Sequence, residues 1–454
     1  MARFPRVDNR ELTDGHLLRS LALLTGPMLV SALLQNLQSL IDLFWVGSLG
    51  PGALAAVAMS GTVLMLLFPM MMGLSTGTVA LVARAVGGER WDEAGHAASQ
   101  SLLLALVAGG LTGLLAPLIT NRMLHLLGST PEVLADGGAY LRISLWGSFT
   151  VFVLFIGNAA LQGAGDAVTP MIIMVIGNVL NLILDPLFIF GWGPVPAMGV
   201  RGAALATVLA QAVSAAVAVT ILLSGRSRLH ARPRQWRPDM EVCWRILRIG
   251  IPGSGQMLAR SLNGAVLMRI VASCGTAAVA AYGTGLRLHM FILMPAFTLG
   301  GAAATLVGQN LGAGKPDRAR RAAWLATGID VGVMVVAAIA LALSAPLLIR
   351  AFNDDPEVIH IGAQYLRVIS PFYVFAALGI VLGRSLNGAG DSLTPMIMTV
   401  VSLWGLQVPL AVGLSRVWEP PTVGIWWAIA AATALHGALI ALWFETGRWQ
   451  RARV

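Results

Sequence analysis

Six polar residues interrupt stretches that are otherwise built for lipid. Gln35, Gln38 and Asp42 follow one another at steps of three and four within the apolar run from Leu17 to Trp45, a spacing that lines them along one helix face. Asn178, Asn181 and Asp185 repeat those steps between Val168 and Phe190. A charged group near the centre of a bilayer costs about 3 kcal/mol on insertion scales, so it persists where it pairs or does work. Two carboxylates backed by amides suit reversible binding of a small cation. Carboxyl groups sharing a low-dielectric site hold protons more tightly than in water and titrate as a pair, which makes H+ the expected coupling ion. The same oxygens also suit Na+, and the residues leave that alternative open. Tyr140 and Asn158, near the two ends of another apolar run, would add hydrogen bonds to this polar pocket. Pro27 and Pro186 lie in the two acid-bearing stretches, where proline is expected to bend a helix.

The elements that position these residues come in two copies. Leu161–Ile172 (LQGAGDAVTPMI) and Leu386–Ile397 (LNGAGDSLTPMI) match at nine of twelve positions at an offset of 225. The same offset carries Pro27 onto Pro252, Asp92 onto Asp317, Pro131-Glu132-Val133 onto Pro356-Glu357-Val358, and Tyr140-Leu141-Arg142 onto Tyr365-Leu366-Arg367. One ungapped register of this length marks a duplicated half. The duplication is also an internal control. At the offset Asp42, Asn178, Asn181 and Asp185 become Leu267, Leu403, Leu406 and Leu410. The second copy keeps the scaffold without the acids, so a polar network that only maintains the fold is the weaker reading.

Composition fixes the solvent. With 57% hydrophobic and 11% charged residues, the chain cannot cover itself with a water-compatible surface, and the class is an all-α polytopic membrane protein. Twelve runs long enough to cross about 30 Å of hydrocarbon are expected, approximately Leu17–Trp45, Leu54–Ala83, Ala94–Ile119, Val133–Asn158, Val168–Phe190 and Gly202–Leu223, then Cys243–Val271, Ala277–Val307, Ala319–Ile349, Glu357–Leu386, Leu393–Leu414 and Gly424–Trp443. The expected organisation is an N-terminal lobe over 1–223, a basic linker over 224–242 and a C-terminal lobe over 243–454. Six spans per half give both lobes the same orientation, hence parallel repeats about an axis along the membrane normal, with the transport path between them. Arginines crowd one side of the expected topology, including Arg3, Arg6, Arg19, Arg84, Arg90 and the linker, while Arg122, Arg201, Arg350 and Arg416 fall on the other. The positive-inside rule then puts both termini on the cytoplasmic side. The net charge of +9 reads as topology and contact with anionic lipid, not as a nucleic-acid footprint.

Further polar residues carry weaker expectations. Arg260, at the position equivalent to Gln35, and Arg287 give the second half a basic edge that would balance the acids, meet an anionic substrate or snorkel. Met290 and Met294, with Phe291 and Phe297, form either an adaptable apolar binding wall or ordinary core. Asp330 stands alone, with Ala105 as its counterpart. Two cysteines, no phosphate loop, no nucleophile elbow with a triad and no Cys/His metal spacing argue against an enzyme, a cofactor or a bound metal.

The duplicated G-A-G-D-x-x-T-P turns, the G-N-x-x-N-x-x-x-D-P run from Gly177 to Pro186, and the acid-bearing first span with Pro27 resemble the multidrug and toxic compound extrusion (MATE) family, in its DinF-like prokaryotic branch. The resemblance covers essentially the whole chain. It implies two six-helix lobes in a V shape, a place in a prokaryotic cytoplasmic (inner) membrane, and antiport of amphipathic, often cationic organic compounds against H+ or Na+. It places the coupling acids at Asp42 and Asp185, with Asn158, Asn181 and Tyr140 as polar neighbours. The NorM-type branch carries an acid in the seventh helix, where this chain has Ser254, Gly255, Arg260 and Leu267. The expected protein is thus a monomeric multidrug exporter working by alternating access. A lipid-linked precursor flippase and Na+-coupled drug efflux are the alternatives.

Overall fold

The computed structural model describes residues 9–128, 130–225, 227 and 229–452. Arg3 and Arg6 of the charge count, and linker positions 226 and 228, lie outside the described residues. The fold is all-α, and among the described residues the only bridge between extended segments joins Trp192 to Val195. The first half supplies α1 (Leu17–Gly47), α2 (Pro51–Gly87), α3 (Trp91–Leu126), α4 (Val133–Trp146 continuing after a 47° bend as Ser148–Gly163), α5 (Val168–Phe190) and α6 (Val200–Leu223). The second supplies α7 (Met240–Ala272), α8 (Thr276–Gly312), α9 (Pro316–Arg350), α10 (Pro356–Ala389), α11 (Leu393–Val417) and α12 (Pro421–Glu445). Ten of these helices are each long and apolar enough to cross a membrane, and the bent α4 makes an eleventh. The remaining one, α7, has the length but carries Ser254, Gln256, Arg260 and Asn263 along its middle, which lowers its apolar character.

The repeated turn is a structural device. Gly165 and Gly390 take φ of 85° and 95°, a left-handed conformation that glycine adopts without a Cβ penalty. The next amides, of Asp166 and Asp391, bond back to Leu161 O at 2.9 Å and Leu386 O at 3.0 Å, closing the helix ends in the Schellman manner. The aspartates then cap the following helix. Asp166 Oδ1 accepts from Thr169 N at 2.9 Å and Asp391 Oδ1 from Thr394 N at 3.2 Å. These acids are committed to capping and are not free for transport chemistry.

Glycines at equivalent places in the two halves set the helix spacing. A Cβ on Gly163 would meet Val79 and Val82 of α2, and one on Gly388 would meet the backbone of Ala304 on α8. Close approach there requires a residue without a side chain.

The chain forms two compact units, and their borders fall inside helices. Residues Ala22–Ile251 belong to the first, whereas Thr13–Leu21 joins Pro252 and the rest in the second. In the second unit Lys315 pairs with Asp14 and donates to Thr13 O at 3.3 Å, while Arg318 donates to Gly15 O. In the first unit the linker packs on α3. Gln100 Nε2 donates to Gln235 O at 2.8 Å and Arg237 O at 2.7 Å, and its Oε1 accepts from Asp239 N at 3.0 Å. Asp239, the repeat equivalent of Asp14, lies 2.9 Å from His96 Nε2. Bonds to His96 and to the amides of Val242 and Glu241 hold its carboxyl below the usual range.

Candidate functional site

The first unit brings its two membrane acids together. Asp42 on α1 and Asp185 on α5 bring their carboxyl groups beside each other, and Asn181 stands next to both. Asn181 Nδ2 donates to Asp185 Oδ1 at 3.1 Å, and both residues are 1% exposed. Along the same stripe Asn178 Nδ2 donates to Leu34 O at 2.8 Å, tying α5 to α1. The repeat keeps this tie with a different donor: Trp404 Nε1 donates at 3.1 Å to Ala259 O, the carbonyl 225 positions after that of Leu34. The second half thus makes the same tie without an amide.

What distinguishes the first unit is that two membrane carboxylates and their amides leave oxygens unanswered on one pair of helices. Asp42 Oδ1, Asp185 Oδ2, Asn178 Oδ1 and Asn181 Oδ1 are buried and accept from no donor among the described residues, as does Asn158 Oδ1 on α4. Two facing carboxylates repel unless a proton or cation lies between them, and buried acceptors without donors are costly. The arrangement is an acceptor-rich cluster that calls for H+, a small cation or ordered water. Leu267, which takes the place of Asp42 in the second half, is 3% exposed within an apolar cluster and raises no such demand.

The other residues singled out from the sequence fall around this pair or away from it. The phenol of Tyr140 feels the charges of Asp42 and Asp185, and its ring packs on Val46, Ala53 and Ile189. Gln38 is half-buried and Gln35 exposed on α1. Pro27 and Pro186 lie inside α1 and α5, which continue through them. Arg287 and Met290 are exposed on α8, Met294 is half-buried there, and Arg260 is half-buried on α7. Asp330 is fully buried, and both of its carboxylate oxygens are without donors.

Two residues near the acids escaped the sequence reading. Trp45, one helical turn beyond Asp42, stacks edge-on against Phe190 at 6.0 Å and leaves its indole Nε1 buried without an acceptor. Ser214 on α6 has a buried, unpartnered hydroxyl facing Gly177, the residue before Asn178. A tryptophan near a helix end reads as an interfacial anchor, and a lone serine among alanines gives no signal.

Comparison with known proteins identifies the family. A family model described as MatE matches residues 27–187 and again residues 252–412. The chain belongs to the MATE family. Both matched segments begin at the repeated proline of α1 and α7 and run through the fifth helix of each half. Among curated MATE relatives, a probable multidrug resistance protein NorM of Thermotoga maritima is 29% identical over 446 residues, covering 96% of this chain and 94% of that protein. A protein named FAD transporter in Shewanella oneidensis is 29% identical over 374 residues, 82% of each chain. The solved structure of a MOP superfamily transporter from Pyrococcus furiosus Vc1 superposes with a TM-score of 0.88 at 26% identity, over 97% of this chain and 98% of that one. As a MATE protein the chain is a polytopic membrane transporter of the multidrug efflux class.

Proposed function

We propose that this MATE transporter exports amphipathic organic molecules in exchange for a cation that binds between Asp42 and Asp185, with H+ as the coupling ion. The observation that carries the reading is the acid pair itself: two carboxyls beside each other, backed by amide oxygens without donors. In this scheme both termini are cytoplasmic in a prokaryotic inner membrane. A proton arriving from outside relieves the repulsion and satisfies one of the buried acceptors. It then shifts the balance of α1, whose Pro27 breaks the backbone ladder, and the change drives substrate release. One proton moving down about 100 mV supplies roughly 2.3 kcal/mol, and one pH unit adds about 1.4 kcal/mol. Together they sustain a substrate gradient of several hundredfold. Named relatives span multidrug resistance and FAD transport, so the substrate is given as a class, an organic molecule with a polar head and an aromatic or apolar body.

The test is uptake of a fluorescent organic cation into inside-out vesicles, with an interior-acidic pH gradient compared with a Na+ gradient higher inside. Uptake that follows the pH gradient and disappears in Asp42→Asn and Asp185→Asn supports the reading. Uptake that follows Na+ replaces the ion. Transport that survives both substitutions removes the site.

A further inference from the structure

The second unit holds a buried polar cluster of the opposite sign. On α7, Arg260 Nη2 lies 3.2 Å from Nε2 of His436 on α12, and Thr399 Oγ1 of α11 lies 3.2 Å from the same nitrogen. Gln256, one turn before Arg260, donates to Thr399 Oγ1 at 3.1 Å. A guanidinium can only donate, so His436 Nε2 must accept, which leaves the imidazole neutral. His436 is 6% exposed and Thr399 fully buried, and Gly379 leaves room for the imidazole, since a Cβ there would strike it. The backbone is π-helical at Leu378–Leu382 and Val401–Gln407, and such turns recur at functional sites.

Among the described residues Arg260 therefore has one neutral partner and no counter-ion. Among the described residues of the second half, the acids set deep in helices or their turns are otherwise disposed. Asp391 accepts from Thr394 and from Trp443 Nε1, and Asp330 accepts from nothing. Among the described residues the nitrogens of Arg260 not used on His436 have no acceptor, yet they are not sealed in. Arg384 on α10 is the like charge that acts on Arg260. Its stem lies over Gly300, where a Cβ would collide with it, and its Cζ stands 5.6 Å from the centre of the Phe297 ring. Met294 lies one turn before Thr298 on the same helix and bonds to it. At the 225 offset Arg260, Arg384, His436 and Thr399 are Gln35, Ala159, Gln211 and Met174. The basic pair thus belongs to the second copy alone, as the acid pair belongs to the first. An ionised residue within the bilayer is retained where it has work to do, and a guanidinium fork matches an oxyanion.

We infer that Arg260, positioned by His436, binds an oxyanion group (carboxylate, sulfonate or phosphate) borne by an aromatic or apolar body, with Arg384 and Phe297 beside it. The inference rests on the export reading only in calling that molecule a substrate; binding itself is measured without transport. The free solute and the lipid headgroup share this chemistry.

Full-length protein in phosphatidylcholine nanodiscs is titrated with fluorescein and with rhodamine 123, two dyes of one ring frame and opposite charge, read by fluorescence polarisation. Arg260→Gln installs the residue of the equivalent first-half position. It is expected to weaken fluorescein binding about tenfold or more and to leave rhodamine 123 within twofold, while Arg260→Lys keeps part of the fluorescein affinity. Nanodiscs containing phosphatidylglycerol divide the sources. Weaker fluorescein binding in wild type but not in Arg260→Gln assigns the site to a headgroup, and unchanged binding assigns it to a free solute. Fluorescein bound equally by wild type and Arg260→Gln, or both dyes weakened to the same degree, overturns the inference. Loss of proton-driven uptake in Asp42→Asn bears only on the export reading and leaves this result standing.

Discussion

Asn178→Leu separates what the polar stripe does for stability from what it does for transport. The wild-type amide makes one hydrogen bond, from Nδ2 to Leu34 O at 2.8 Å, and its Oδ1 is buried without a donor. Losing the bond costs about 1 kcal/mol. Removing a buried amide oxygen that lacks a partner returns about 1–3 kcal/mol. Leucine keeps the same branched outline, is the larger residue and already occupies the equivalent position 403, so no cavity term enters. The net is between zero and a small gain, and the unfolding midpoint in detergent is expected to stay level or rise, by no more than about 3 °C. Transport is expected to fall about tenfold, the equivalent of one hydrogen bond of about 1.4 kcal/mol used during cation exchange. A midpoint lowered by 5 °C or more would mean that the stripe holds the lobe together, and the functional argument from the repeat would then fail. Unchanged proton-driven uptake would refute it equally.

Three further outcomes follow from packing and charge. Asp239 has its carboxyl held below the usual value, with the His96 bond as the first cause; its contribution to stability is present above about pH 4 and is lost as pH falls through the lowered value. Asp239→Asn should therefore melt slightly lower than wild type at pH 7, and the two curves should converge below pH 4; a gap that widens in acid would reverse the sign. Gly388→Ala forces a Cβ against the Ala304 backbone and is expected to destabilise by about 3 kcal/mol through overpacking, read as a lower thermal midpoint. Gly328→Ala on α9, where a Cβ meets nothing within 4 Å, is expected to raise the midpoint through about 0.5–1 kcal/mol of helix propensity.

The parts of this molecule that periodicity controls were readable from the chain. The 225-residue register exposed the duplication, and the i, i+3, i+7 steps put Asn178, Asn181 and Asp185 on one face, all of them buried in the structure. The same spacing on α1 did not distinguish Asp42, which meets Asp185, from Gln35, which is exposed, because exposure depends on what the neighbouring helices cover. His436 was passed over with the other histidines, since one imidazole in an alanine-rich helix carries no motif. Only the meeting of α7, α11 and α12 gives it Arg260 and Thr399 as partners. The bend of α4 escaped for a similar reason: Gly147 separates its two parts, against the side chain of Val208 on α6, a contact set by tertiary packing.

The exchange of helix ends has a consequence for how the chain is made. Asp14 leaves the ribosome early, yet its partner Lys315 is synthesised 301 residues later. The first unit, in turn, is not complete until Ile251, beyond the linker, has emerged. Neither half of the sequence encodes every residue of its own compact unit. A gene cut within the linker would yield two fragments, each lacking a helix end that the other encodes, so activity would return only when both are produced in the same cell and reassemble. The two similar halves left by the duplication each complete a compact unit with residues from the other's stretch of chain.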